Sequence, residues 1–257
     1  EERLRLHARI FDCAGEAVVV TDAEERIVSA NPAFYEISGF SAGEIIGSAA
    51  SAMQLGTENG RWAEIRETID RDGKWSGEVR PTRKDGTTYP AWASITSVQA
   101  PGGTVSHYCF IFADITERKE AEAQIYRLAY YDTLTNLPNR ALLYSLLEQA
   151  LTEAHRRHSY GAILFIDLNR FKHINDSFGH SPADVLLAEV GRRLSAALRK
   201  EDVVSRLGGD EFVIALFDIN LRDDAAVVAR KILSALAEPF FIEGHEILLS
   251  ASIGISV

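Results

Sequence analysis

Between the apolar runs Val203-Val204 and Phe212-Val213-Ile214 the chain carries Arg206-Leu207-Gly208-Gly209-Asp210-Glu211. A glycine pair in that setting predicts a tight β-hairpin, because two-residue turns need the positive φ that glycine supplies. Two acids follow the turn at once and sit at its tip. Upstream, the continuous apolar run Gly161–Ile166 ends in Asp167 and reads as a central strand buried on both faces. If the two strands are neighbours, Asp167 and Asp210 converge at one sheet edge. Hard oxygen ligands placed beside phosphates suit Mg²⁺. Taken singly, each acid has a plainer reading: Asp167 as the cap of the next segment, Asp210 and Glu211 as a solvated turn.

A second cluster lies between these strands. Phe171-Lys172-His173-Ile174-Asn175-Asp176 is followed by Gly179-His180 and Asp184. Lys172 supplies charge for phosphate. Asn175 and Asp184 bring an amide and a carboxylate, the groups that read the O6, N1–H and N2–H edge of guanine; adenine would leave the carboxylate facing an acceptor. Either residue alone also serves as a turn or cap residue.

These elements strongly resemble the GGDEF domain of diguanylate cyclases. The resemblance covers about Tyr130 to Val257 and rests on Asp132–Arg140, Phe165–Asp176, Gly179-His180 with Asp184, and the signature Gly208–Phe212. It implies condensation of two GTP into cyclic di-GMP with release of two pyrophosphates. By position, Asp167, the Leu168 carbonyl, Asp210 and Glu211 are the implied ligands of Mg²⁺ (or Mn²⁺), with Asp210 and Glu211 the catalytic acids. Asn175 and Asp184 are implied to hold guanine, while Phe171 (by its backbone), Lys172 and His180 surround ribose and phosphates. Gly208 and Gly209 let the hairpin backbone approach the nucleotide. Arg199-Lys200-Glu201-Asp202 resembles the family's inhibitory site for cyclic di-GMP, through Arg199 and Asp202. The four-residue pattern is weak alone, since Arg9-Ile10-Phe11-Asp12 matches it too. Asn169 stands where the family usually has Asp, and Ala183 where it has Gly. The family also extends past Val257, so the domain is expected to be C-terminally incomplete.

The first half has a different rhythm. Short strands are expected at Ala17–Thr21 and Ile27–Ala30, and helices from Pro32 to Ile37, after a capping box at Ser41–Glu44, and over Arg61–Ile69. Three longer strands follow at Lys74–Lys84, Thr88–Ala100 and Val105–Asp114. Val18–Asp22, Asn31-Pro32-Ala33-Phe34, Gly73–Glu78, Arg83–Gly86 and Asp114–Arg118 resemble a PAS sensor domain over about residues 5–117, which implies sensing or dimerisation. Thr116–Tyr130 lacks Gly and Pro and places Ala121, Ile125 and Leu128 on one stripe; a short parallel coiled coil and a helix packed on a domain both fit. In the second half, helices are expected after Arg140 (Leu143, Leu146, Leu147, Ala150 and Ala154 on one face), over Pro182–Leu198 and over Asp223–Leu236, with a last strand at Glu246–Val257.

The fold class is thus mixed α+β and α/β: a five-stranded antiparallel PAS sheet with helices (1–115), a helical linker (116–131), and a GGDEF domain with a central sheet flanked by helices (132–257). Net charge −10 excludes a nucleic-acid polymer as main partner but allows a nucleotide whose phosphates a cation screens. Cys13 and Cys109 are expected as reduced, mostly buried thiols of a cytoplasmic protein. The chain opens Glu1-Glu2-Arg3 without methionine or signal peptide, as a piece of a longer protein that has room for a membrane anchor upstream. The sensor ligand is not legible. No histidine occurs between His7 and His107 to ligate haem, and no cysteine between Gly47 and Trp62 to bond a flavin. A flavin or small molecule against Trp75 and Trp92 stays open, but two ordinary core aromatics and no ligand are the favoured expectation. His155 and His158 read as a solvated basic helix end. The expected partners are GTP, cyclic di-GMP and a second copy of the chain, meeting through the PAS domain, the linker helix and the GGDEF domain. Two other readings compete with a PAS-regulated cyclase. One is a GTP-binding regulatory module for a downstream phosphodiesterase (EAL) domain, since Tyr130–Arg140 resembles such composite proteins. The other is a dimerising scaffold, which Asp167, Asp210 and Glu211 argue against.

Overall fold

The computed structural model describes residues 2–53, 61–157, 160–219, 221 and 223–257; the side chains of 61, 153 and 155–157 are excepted. Two compact units divide the chain, Glu1–Ala121 and Glu122–Val257.

The first unit opens with α1 (Glu2–Cys13), a helix the sequence reading missed; it has no buried residue, so no core pattern marked it. Strands β1 (Ala17–Asp22), β2 (Ile27–Ala30), β3 (Lys74–Val79), β4 (Ala91–Gln99) and β5 (Val105–Asp114) form one antiparallel sheet in the order β2-β1-β5-β4-β3. Helices α2 (Pro32–Ser38), α3 (Ala42–Ile45) and α4 (Arg61–Asp72) lie between β2 and β3 in sequence and cover one face. Phe34, Ile45, Ile65 and Ile69 pack there on Val19, Ala93, Ile95, Phe110 and Phe112. Buried Asn31 fixes the entry to α2. Its Oδ1 accepts from Val18 N (2.8 Å) and Phe34 N (3.0 Å), and its Nδ2 donates to Glu16 O (2.9 Å). The Ser41–Glu44 box forms, with Glu44 Oε2 accepting from Ser41 N at 2.9 Å.

Two strands are shorter than their sequence pattern. Pro81 and Pro90 have no N–H to give a ladder, and between β3 and β4 only an isolated Thr82–Thr88 bridge remains. Trp92 is not a core residue. It sits on the open sheet face, 48% exposed, while Trp75 packs partly buried against the core. The thiols also differ from expectation: Cys13 is exposed on α1 and Cys109 half-buried on β5, both free, and burial pushes the Cys109 thiol up.

Asp114 explains the Asp-Ile-Thr exit. One carboxylate oxygen accepts from Thr116 N (2.9 Å) and Thr116 Oγ1 (2.6 Å), capping α5 (Thr116–Tyr130). The other takes Arg83 Nη2 at 2.8 Å. No residue of α5 is buried, and Ile125 and Leu128 are exposed.

The second unit contains α6 (Arg140–Arg157), β6 (Tyr160–Leu168), α7 (Phe171–Phe178), α8 (His180–Ala196), β7 (Val203–Gly208), β8 (Glu211–Ile219), α9 (Asp224–Ala237), β9 (Phe240–Ile242), β10 (His245–Ile247) and β11 (Ala251–Ser256). The four-stranded sheet runs β11-β6-β8-β7 with every pairing antiparallel. Helices α8 and α9 bury Leu186, Val190, Leu194, Ile232 and Leu236 against Leu164, Ile166, Phe212 and Ile214. On the opposite face Leu143 of α6 packs on Val213 and Ala215.

Strand β6 is therefore not buried on both faces. It alternates, with Leu164 and Ile166 inside but Phe165 56% exposed beyond the reach of α6. The last expected strand is two strands in two sheets. A turn at Glu243-Gly244, both with positive φ, pairs β10 with β9. The chain then crosses to β6 as β11. Helix α8 starts two residues before Pro182, whose missing N–H has no partner to lose in a first turn. His158 and the His155 side chain lie outside the described residues.

Candidate nucleotide site

The hairpin turns on Gly209-Asp210, flanked by the Gly208–Glu211 pair. Gly208 has φ 149° and Gly209 φ 53°, where a Cβ is strained, so both glycines answer a backbone need. A positive φ at the first turn residue is what a type II′ hairpin requires.

Strand register brings the acids together. Asp167 on β6 lies directly across from Glu211 on β8, and Ser252 on β11 flanks it on the other side. Cross-strand neighbours have Cβ atoms about 4.5–5.5 Å apart, and like charges there repel. Among the described residues the side chains of Asp167, Asp210 and Glu211 make no hydrogen bond or ion pair with the protein. Also among the described residues, no three His, Cys, Asp or Glu side chains gather closely enough to hold a metal unaided. That donor set fits Mg²⁺, which takes one or two carboxylates and completes its shell with substrate phosphates and water.

Helix α7 carries Phe171, Lys172 and Asn175 away from the end of β6, and α8 carries His180 and Asp184 one turn apart. Gly179, φ 87°, joins the two packed helices; its N–H caps α7 by donating to Asn175 O at 2.9 Å. Lys172, His180 and Asp184 are exposed. Asn175 differs: its Oδ1 is buried and has no hydrogen-bond partner, one of two such side-chain atoms among the described residues. A buried carbonyl without a donor costs free energy, which a donor reaching it would remove. Phe171 and Ile174 pack against the core and hold α7 in place.

Asn169, in place of the usual acid, is structural. Its Nδ2 donates to Ser250 Oγ (3.1 Å), its Oδ1 accepts from Ser252 Oγ (2.9 Å), and its N–H reaches Ser250 O (2.8 Å). It ties the end of β6 to β11. Ala183 is buried, 2% exposed, in the first turns of α8. A cleft of about 690 Å³ lies behind α7, lined by Arg170, His173, Ser177 and Phe178; it takes in none of the residues expected to bind GTP.

Arg199 and Asp202 close on each other. The Asp202 carboxylate takes the Arg199 guanidinium at 3.3 Å and the Arg199 N–H at 3.3 Å. The Arg199 side chain is 58% exposed and that of Asp202 1%. The hydrogen-bonded Asp202 carboxylate holds the Arg199 guanidinium above its usual range.

The sequence reading left Arg206 without a role. Its Nε and Nη2 donate to Gly209 O at 3.0 and 2.7 Å, and its Nη1 meets both Asp132 oxygens at 3.1 and 3.0 Å. Asp132 also accepts from Thr135 N and Oγ1 at 2.8 and 2.7 Å. Burial pushes the Asp132 carboxyl up, but Thr135 and Arg206 outweigh it and hold it below the usual range. The signal was present: an arginine among inward-facing strand residues needs a buried acid, and Asp132 stands in the polar turn ahead of α6.

Comparison with known proteins shows the family. The family model "Diguanylate cyclase, GGDEF domain" matches residues 129–257, and a PAS domain model matches residues 15–117. The bifunctional diguanylate cyclase/cyclic di-GMP phosphodiesterase MucR of Pseudomonas aeruginosa is 44% identical over 142 residues, 55% of this chain and 21% of its own. The probable diguanylate cyclase DgcE of Escherichia coli is 34% identical over 270 residues, all of this chain and 23% of its own. The chain thus spans under a quarter of either relative. The coiled coil and GGDEF domain of DgcB from Caulobacter crescentus, solved with c-di-GMP, is 22% identical with TM-score 0.50 over 55% of this chain and 75% of that one, a likeness of fold. Among the described residues no helix is long and apolar enough to cross a membrane. The hairpin, the acid pair and the two matched models place the chain in the diguanylate cyclase family, as a PAS domain followed by a GGDEF domain.

Proposed function

We propose that this protein is a diguanylate cyclase that condenses two GTP into cyclic di-GMP and two pyrophosphates. The observation that carries the reading is the register of β6 and β8, which sets Asp167 against Glu211 beside the Gly209-Asp210 tip. The 3′-hydroxyl of each GTP attacks the α-phosphorus of the other; in each of the two attacks the P–O bond to pyrophosphate breaks and the hydroxyl proton passes to a carboxylate of the hairpin. Asp167, Asp210, Glu211 and the Leu168 carbonyl would supply the protein ligands of Mg²⁺, one or two carboxylates to an ion with substrate phosphates and water completing its shell, and the ion would stabilise charge on the phosphoryl oxygens. Asn175 and Asp184 orient guanine; Lys172, His180 and the Phe171 backbone steady ribose and phosphates. One site holds one GTP, so a second copy of the chain completes the reaction, and the PAS domain and α5 govern how two copies meet. Product bound at Arg199 and Asp202 restrains the enzyme, once Asp202 is freed from its closed pair.

Incubation with GTP and Mg²⁺ is expected to yield cyclic di-GMP, and Asp210→Ala to abolish it. GTP binding without product would overturn the cyclase reading. A second reading, a GTP-binding regulator of a downstream EAL phosphodiesterase, draws support from the 44% identity to a bifunctional relative. GTP-dependent hydrolysis of cyclic di-GMP without synthesis would favour it.

A further inference from the structure

The turn between α5 and α6 does more than join two helices. From its last residue the turn reaches back to its beginning, where Asn139 holds the end of α5: its Nδ2 donates to Ala129 O at 2.8 Å and its N–H to Tyr130 O at 2.9 Å. The same side chain caps α6, with Oδ1 accepting from Ala141 N at 2.9 Å. The turn is cross-braced by Asp132 N to Leu137 O at 2.8 Å and by a Tyr131–Pro138 bridge. Its far side docks on two elements of the candidate site. Pro138 O accepts from Arg206 N at 3.0 Å, and Asp132 grips the guanidinium that in turn holds Gly209 O. Leu137 meanwhile packs so closely on Gly191 of α8 that a Cβ there would stand 3.0 Å from Leu137 Cδ1. From the exposed Ala129 carbonyl to the hairpin tip the path thus runs through the Asn139 side chain, along the backbone of the turn, and through the contacts of Pro138 and Asp132 with Arg206 and of Arg206 with Gly209, each hydrogen bond or ion pair 3.1 Å or less.

From this chain of contacts we infer that residues 131–139 form a coupler within one subunit: Asp132 and Arg206 are positioning residues that tie the nucleotide hairpin to the last turn of α5. Displacing that turn moves Gly209, and with it Asp210 and Glu211, before any second copy is engaged. Bidentate contacts at both ends of the guanidinium give the link direction as well as strength, which a lysine does not reproduce. Regulation by α5 then acts on the geometry of a single site in addition to the meeting of two sites. The consequence for catalysis rests on the cyclase reading; the coupling itself does not.

Hydrogen–deuterium exchange of the protein without nucleotide tests it. In Asp132→Asn and Arg206→Lys the amides of Gly208–Glu211 are expected to exchange at least about tenfold faster, as a tethering contact of over 1.4 kcal/mol is lost, while those of Ile163–Leu168 keep their rates. Asn139→Ala, which touches neither Arg206 nor Gly209, is expected to loosen the hairpin as well as the end of α5. Hairpin amides at the original rate in Arg206→Lys overturn the link to Asp132. Loosening confined to α5 in Asn139→Ala overturns the coupler and leaves control to the contact between copies. In turnover, Arg206→Lys is expected to lower kcat by roughly a hundredfold with KM for GTP within about threefold, because guanine is held elsewhere; an equal loss in KM would make Arg206 a mere stabiliser of the domain. A protein that makes no cyclic di-GMP but shows the exchange pattern refutes the cyclase reading alone.

Discussion

Replacing Asn175 by leucine should make the free protein more stable and the nucleotide site useless. The Asn175 Oδ1 is buried without a donor, and an unsatisfied buried acceptor costs about 1–3 kcal/mol. Leucine has nearly the same shape and removes the acceptor; it also gains about 0.5 kcal/mol of helix propensity within α7. The net rise is then about 1.5–3.5 kcal/mol, or roughly 5–12 °C in Tm for a unit of this size. Most substitutions at half-buried sites lower stability, so the sign alone is diagnostic. Thermal unfolding with and without Mg²⁺ and GTP reads both halves of the argument. At GTP near 100 times its Kd the natural protein gains about 2.7 kcal/mol, whereas Asn175→Leu should gain almost nothing. A variant that melts lower would show that Oδ1 is satisfied in the free protein. A variant that GTP stabilises as well as before would show that Asn175 does not touch guanine.

Other expectations follow from single contacts. Arg193 donates to Glu238 O and Pro239 O at 2.6 Å each and lies 3.7 Å above the Phe240 ring; Arg193→Met should cost about 3 kcal/mol, read as a lowered urea midpoint with unchanged slope. Because the folded carboxyl of Asp132 is held below 3.8, its contribution is present at neutral pH and fades as pH falls below that value. The stability gap between the natural protein and Asp132→Asn should therefore narrow from pH 5 to pH 3 (roughly the span of carboxylate titration); a constant gap would refute the pairing. Gly209→Ala forces a Cβ into φ 53° and should cost about 1 kcal/mol, visible as a lower Tm. Arg199→Ala should weaken cyclic di-GMP binding at least about tenfold in calorimetry, and unchanged affinity would remove the feedback site.

The periodic helices and the tight turns were legible residue by residue. The Leu186-Val190-Leu194-Ala197 stripe, the Ser41–Glu44 box and the Gly208-Gly209 hairpin depend on neighbours a few positions apart, and such local patterns survive in any tertiary setting. The chemical types of the site were legible for the same reason: acids after a glycine turn, an amide and a carboxylate near a lysine. What the chain could not disclose depended on partners distant in sequence. An apolar run such as Gly161–Ile166 looks alike whether one face or two are covered, and only the packing of α6 decided that Phe165 stays exposed. The stretch from Glu246 to Val257 has one strand pattern, yet Asn169 and Ser250 make it cross between two sheets. Trp92 carries the same hydrophobic signal as a core tryptophan but belongs to the open sheet face. Arg206 stands among inward-facing strand residues and calls for an acid, but only the fold shows that Asp132 and the Gly209 carbonyl close around it. Sequence alone fixes which groups are available and how each short segment bends. The partner a buried charge finds, and the face a strand conceals, are long-range choices, made when desolvation forces each polar group to find a donor or acceptor across the fold.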